Sequence, residues 1–353
     1  MIYLVSLLLS IIISFITTKI VLTYSLKNKV GLSIPRKRDV HTKPIPRIGG
    51  IGIYISFWIV VGIILLLFPE SLSFVESKII NIDMNLLGII IASTIWVIIG
   101  LVDDTKGLKP SIKLFFQFIC ATIIVLFGVK IWWISNPLGG LNIGLEQWTY
   151  LLVPIWIVLL MNVINWFDGI DGLSSNISAV TCIILFLLSI DPNVNQPATA
   201  LLCIILLGVL IGFIPYNWNP AKIFLGDTGS GFLGLMLAVF AIISGAKLAT
   251  AFLVLGIPIL DALVVIFSRL KNKKSIFSAD KTHIHHKFLK AGLSVKQTVI
   301  FLTIISIVFG IVALKTQTQE KFQAFLWLML IMGIILLTLT NIIKNRNKNV
   351  SKK

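Results

Sequence analysis

Eleven apolar runs, each close to the length an α-helix needs to cross hydrocarbon, decide what this chain can fold into. They lie near 2–24, 48–68, 84–102, 111–129, 147–166, 172–190, 198–216, 229–246, 249–268, 297–315 and 322–343. The joints between runs five and six and between runs eight and nine are short. The chain is 57% hydrophobic and 12% charged, more apolar than a soluble domain of 353 residues requires. The predicted fold is an all-α polytopic membrane protein of about eleven transmembrane helices. No polar stretch outside the runs exceeds about thirty residues, so residues 1–353 form a single integral membrane domain. The first run is too long for a signal-peptide core and lacks a basic leader. It reads as a span whose Lys19 can snorkel to the headgroups.

Charge orients the array. A net charge of +16 would suit a nucleic-acid binder, but the Lys and Arg residues sit in short loops between apolar segments, as in membrane proteins. Loops 25–47, 103–113, 167–171, 217–228, 269–296 and 344–353 share one side and hold 24 of the 30 Lys and Arg. The other side carries Lys78, Lys130, Lys247, Lys315 and Lys321. By the positive-inside rule the first set is cytoplasmic, giving an outside N-terminus and a cytoplasmic C-terminus. All four glutamates (Glu70, Glu76, Glu146, Glu320) fall outside, whereas Asp103, Asp104, Asp168, Asp171 and Asp227 fall at inner ends of spans. Ordinary loop charge would scatter. Short carboxylates recurring beside glycine on one membrane face, where they are costly, point to a shared site. Cys120, Cys182 and Cys203 lie inside apolar runs and read as small hydrophobes, without a disulfide framework or zinc-ligand spacing.

Five segments carry the candidate chemistry. In Gly100-Leu101-Val102-Asp103-Asp104-Thr105-Lys106, adjacent carboxylates on a helix end point about 100° apart. One can therefore bind a divalent ion while the other takes a proton or pairs with Lys106. In the run from Asn162 to Leu173, Asn162, Asn165 and Asp168 recur every three residues, with Asp171 beyond and Gly169 and Gly172 allowing close backbone approach. Around Leu225-Gly226-Asp227-Thr228-Gly229, an aspartate between glycines at a span start suits a metal ion, with free N–H groups facing phosphate; an N-capping turn would look similar. In Asp280-Lys281-Thr282-His283-Ile284-His285-His286, His283 and His286 can share a helical face and donate to an anion. Zinc is disfavoured there by the surrounding lysines and the lack of a nearby Cys or Glu. Finally, Lys43 and Arg47, in a Pro- and Gly-containing basic loop, are candidate phosphate contacts, although such charge also serves topology and anionic lipid. Asp261 falls inside the ninth run with no role assigned.

In this order, the segments resemble the polyprenyl-phosphate N-acetylhexosamine-1-phosphate transferases, from about Lys43 to Leu293. His-Ile-His-His looks like the WecA type, which includes the teichoic-acid branch; the MraY type is expected to carry a run of histidines and a muramoyl-pentapeptide pocket. The resemblance implies a magnesium-dependent transfer, with manganese as a substitute, from a UDP-N-acetylhexosamine to undecaprenyl phosphate, releasing UMP. It implies catalytic roles for Asp103, Asp104, Asp168 and Asp171, and metal ligation by Asp227 with Asp168. Substrate binding falls to Lys43, Arg47, Asn162, Asn165, His283, His285 and His286. The expected partners are undecaprenyl phosphate, the UDP-sugar and membrane lipid, with a second copy of the chain as a further candidate and no nucleic acid. The expected location is the plasma membrane, with the site on its cytoplasmic face. A secondary transporter would gather its charges at the midplane and repeat its halves, and neither is seen. A CDP-alcohol phosphatidyltransferase would follow Asp-Gly with Ala-Arg, whereas Asp168-Gly169 precedes Ile170-Asp171.

Overall fold

The computed structural model describes residues 1–33, 44–74, 78–79, 82–134, 136, 139–245, 248–273 and 282–350. Every one of the eleven runs becomes helix. In chain order the described α-helices, with one run split into α9 and α10 and α11 lying outside the runs, are α1 (Ile2–Asn28), α2 (Gly49–Leu67), α3 (Met84–Lys106), α4 (Pro110–Leu126), α5 (Thr149–Phe167), α6 (Leu173–Ser189), α7 (Pro197–Asn217), α8 (Gly226–Ile243), α9 (Leu248–Val254), α10 (Gly256–Lys271), α11 (Ile284–Ala291), α12 (Val295–Lys315) and α13 (Thr318–Val350). The described strands are three antiparallel pairs of two-residue segments in the connections.

The helices are not uniform. Among the described residues, eight helices have the length and apolarity to cross a membrane. The run near 249–268 is broken into α9 and α10, which meet at 77°. Pro258 explains the break: it has no N–H for the Val254 carbonyl, and its ring would clash there if the helix continued. The pair counts as a ninth span only if taken together. α4 and α6 are 17 residues each, about 25 Å long at 1.5 Å per residue, the short end of what spans a bilayer.

Packing follows the logic of a lipid solvent. α1 buries Ser6, Ser10, Ser14 and Thr18 completely and leaves Leu4, Leu8, Ile12 and Ile16 exposed. The serine seam lies against Gly208 and Gly212 of α7, where a side chain would strike the α1 backbone and Ser10 or Ser14. The Ser14 hydroxyl donates to the Val209 carbonyl at 2.6 Å. Small residues permit this close approach, since apolar burial gains nothing when lipid is the alternative. At the centre stands α8, in which every residue from Gly226 to Ile242 is buried, with α2, α3 and α5 packed around it. The core helix therefore starts where Asp227 is placed.

Candidate active site

The functional side chains meet where the C-terminal ends of α3 and α5 approach the N-terminal ends of α2, α4 and α8. α8 opens on Gly226, at φ +69°, where any side chain would collide with the Arg47 carbonyl and the Asp104 carboxylate. Its first-turn amides have no intrahelical acceptors. Asp104, from α3, supplies them: Oδ1 accepts from the Asp227 N–H at 2.8 Å, and Oδ2 accepts from the Thr228 N–H at 3.0 Å and its hydroxyl at 2.6 Å. A carboxylate at a helix N-terminus is favoured by the helix dipole as well. Asp104 is thus the cap of α8 and fixes where Asp227 stands.

Asp103 diverges from its neighbour, as adjacent helical side chains must. Its Oδ1 accepts from the Leu108 N–H at 2.6 Å, and its Oδ2 from the Lys113 ammonium at 3.1 Å. Its cationic partner is Lys113, whereas Lys106 is exposed. Lys113 also pairs with Asp227 Oδ2, and the Arg47 guanidinium lies 3.7 Å from Asp227 Oδ1. Lys113 lies beyond the Asp103-Asp104 motif and belongs to no motif of its own in the sequence. The available signal was the turn: Gly107 ends α3 and Pro110 starts α4, so the first turn of α4 folds back beside the last turn of α3.

Asp168 follows the last residue of α5. Desolvation pushes its carboxyl up to about 7; Arg47 opposes the rise, and the carboxylates of Asp227, Asp104 and Asp171 add to it. Asn165 donates to the Ser230 hydroxyl at 2.9 Å, tying α5 to the first turns of α8. Asn162 lies a turn deeper, donating to Gln117 of α4 at 2.7 Å. Asp171 is engaged elsewhere: its Oδ2 accepts from Asn219 Nδ2 at 2.7 Å and the Ala221 N–H at 3.0 Å, holding the loop before α8.

The histidine segment docks on the Asp168-Gly169 turn. The rings of His283 and His285 stack, with centroids 5.6 Å apart. His283 sits just before α11, outside the helix, and its side chain makes no capping hydrogen bond. His285, expected as a pyrophosphate contact, is 1% exposed, stands edge-on to Phe167 and fills the space over Gly169. Burial first, then His286 and His283, hold it well below its usual pKa, so it packs as a neutral ring. Asp261 acquires a role that sequence did not give it, accepting from the His283 Nδ1–H at 2.7 Å and the Ile284 N–H at 2.8 Å. Lys43 lies outside the described residues. A cavity of about 300 Å³ lined by Trp132, Trp133, Lys130 and Asn85 sits at the opposite helix ends and is separate from this site.

A helical membrane protein with carboxylates, cations and imidazoles gathered at one set of helix ends is the architecture of an enzyme working at a membrane surface. Residues 86–245 match the family described as glycosyl transferase family 4. The chain is 30% identical to the probable undecaprenyl-phosphate N-acetylglucosaminyl 1-phosphate transferase of Bacillus subtilis, over 99% of this chain and 92% of that one. It is 32% identical to the decaprenyl-phosphate N-acetylglucosaminephosphotransferase of Mycobacterium leprae, over 83% and 81%. A phospho-N-acetylmuramoyl-pentapeptide-transferase of Staphylococcus epidermidis is 28% identical, over 87% and 96%. The chain belongs to this family of polyprenyl-phosphate sugar-1-phosphate transferases.

Proposed function

We propose that the protein transfers N-acetylglucosamine 1-phosphate from its UDP derivative to undecaprenyl phosphate, starting a lipid-linked glycan. The observation that carries this reading is the convergence of Asp103, Lys113, Arg47 and Asp227 on the capped start of α8, in a chain similar over 99% of its length to a transferase named for undecaprenyl phosphate and N-acetylglucosaminyl 1-phosphate. An oxygen of the lipid phosphate attacks the sugar-bearing phosphorus; the new P–O bond forms as the bond to the UMP phosphate breaks, and UMP leaves with the electron pair. Asp103 is the member of the pair suited to take up a proton from the lipid phosphate, because Asp104 already accepts three hydrogen bonds from α8. Asp104 acts as a positioning residue. Lys113, Arg47 and His286 meet phosphate oxygens, His283 accepts a hydrogen bond from the substrate, and Asn165 and Asp171 hold the two segments that frame the nucleotide.

The donor set fits magnesium. Hard carboxylate oxygens suit it, and magnesium takes one or two carboxylates plus substrate phosphates rather than a closed protein cage. Among the described residues no three His, Cys, Asp or Glu side chains form such a cage. Asp227 with Asp168 would hold the ion, which when bound offsets the charge of converging phosphates. Since the metal-free Asp168 carboxyl titrates near 7, it carries its proton below that pH and must lose it to ligate. Magnesium affinity is expected to rise about fivefold from pH 6 to pH 7 and by less than about twofold more to pH 8. Isothermal titration across this range tests it, and an affinity level from pH 6 to pH 8 would remove Asp168 from the metal site.

Two experiments bear on the wider reading. Purified protein given undecaprenyl phosphate with equal UDP-N-acetylglucosamine and UDP-N-acetylmuramoyl-pentapeptide should form the N-acetylglucosamine lipid, read by product mass with UMP release. Dominance of the muramoyl lipid would overturn the donor. For topology we propose eleven crossings of the plasma membrane, counting α4, α6 and the bent α9–α10 pair, with the N-terminus outside and the site cytoplasmic. The charge asymmetry between the two sets of loops supports this. An impermeant thiol reagent applied to whole cells should label a cysteine placed at Glu146 and spare one at Lys290; the reverse pattern would invert the orientation.

A further inference from the structure

We infer that Asp261 is a positioning residue that acts on the reaction through His283, an inference that rests on the transferase reading above. Asp261 lies in α10 and is 2% exposed. A carboxylate this deep is costly unless both its oxygens are used. Here consecutive residues of the histidine segment use them: Oδ2 accepts from the His283 ring at 2.7 Å, and Oδ1 from the Ile284 N–H at 2.8 Å.

The two bonds do different things. The bond from Ile284 caps α11, and one oxygen suffices for it. The second oxygen sets the imidazole. Because a carboxylate only accepts, the proton on the facing nitrogen is fixed at Nδ1, and Nε2 is left as a lone-pair acceptor for a substrate O–H or N–H. His283 also stacks on His285, which is wedged over Gly169 beside the Asp168 turn. Its ring is therefore held in both tautomer and plane before substrate arrives. A carboxylate that orients an imidazole from behind is best known at metal sites, where its loss commonly costs tenfold to a hundredfold.

Asp261→Asn separates the two functions. The amide oxygen keeps the cap on Ile284, while the NH2 group faces His283 Nδ1 and forces the ring proton to Nε2. The purified full chain, labelled with 15N-histidine, is compared with Asp261→Asn in the same detergent, the His283 signals being assigned by their loss in His283→Gln. The expected result is a switch of His283 from Nδ1-protonated to Nε2-protonated signals, with thermal unfolding little changed. Turnover with UDP-N-acetylglucosamine and undecaprenyl phosphate should fall about tenfold or more. In the His283→Gln background the same substitution should cost less than about twofold, because its route is gone. An unchanged tautomer, or losses that multiply in full in the double variant, would overturn the inference. Failure of the parent to form any lipid product would instead refute the transferase reading, and the histidine spectrum would still decide whether Asp261 sets the ring.

Discussion

Asp227→Asn is expected to lose turnover by about a thousandfold or more while the protein stays folded. The substitution keeps the volume and the backbone N–H that Asp104 receives, so the cap on α8 survives. What disappears is the charge that answers Lys113 and Arg47 and that offers a hard oxygen to a divalent ion. Magnesium-dependent UMP release, measured at matched amounts of folded protein, is the assay. Activity within tenfold of the parent would take Asp227 out of the reacting centre.

Lys113→Met should produce a different signature. The ammonium stands between Asp103 and Asp227, so in the resting protein it occupies the charge-balancing place that a divalent ion would also favour. Once an ion engages Asp227, Lys113 is released from one of its two anions and can meet a phosphate. Removing it is therefore expected to tighten magnesium binding and yet to lower turnover about a hundredfold. Titration calorimetry and UMP release on the same preparation read the two halves. Weaker magnesium binding with unchanged turnover would sink this account of Lys113.

Much of the fold was legible because hydropathy alone decides which stretches become helix in lipid, and each of the eleven runs did. Continuity within a run was less legible. Residues 249–268 score as one span, but Pro258 interrupts the hydrogen bonding and yields a sharp bend. At the site, the aspartates at inner helix ends were readable from the recurrence of short carboxylates beside glycine. Their division of labour was not. Whether Asp104 caps a neighbouring helix or faces substrate depends on the approach of α8, 123 residues away in the chain. The same holds for Asp261, whose partner His283 is 22 residues on and reached only through the fold. His285 shows the converse: a motif made the three histidines look equivalent, and packing against Phe167 and Gly169 set one of them apart.

The serine seam of α1 has a consequence for how this chain is made. Insertion into the bilayer and assembly of the inserted helices are separate events, and on this helix they are governed by opposite faces. Replacing Ser10 with leucine would make the first segment a better substrate for insertion, yet the larger side chain would hold α1 away from Gly208 of α7. The chain would enter the membrane more readily and then fail to close up within it. On that face, a gain in hydrophobicity is a loss in assembly.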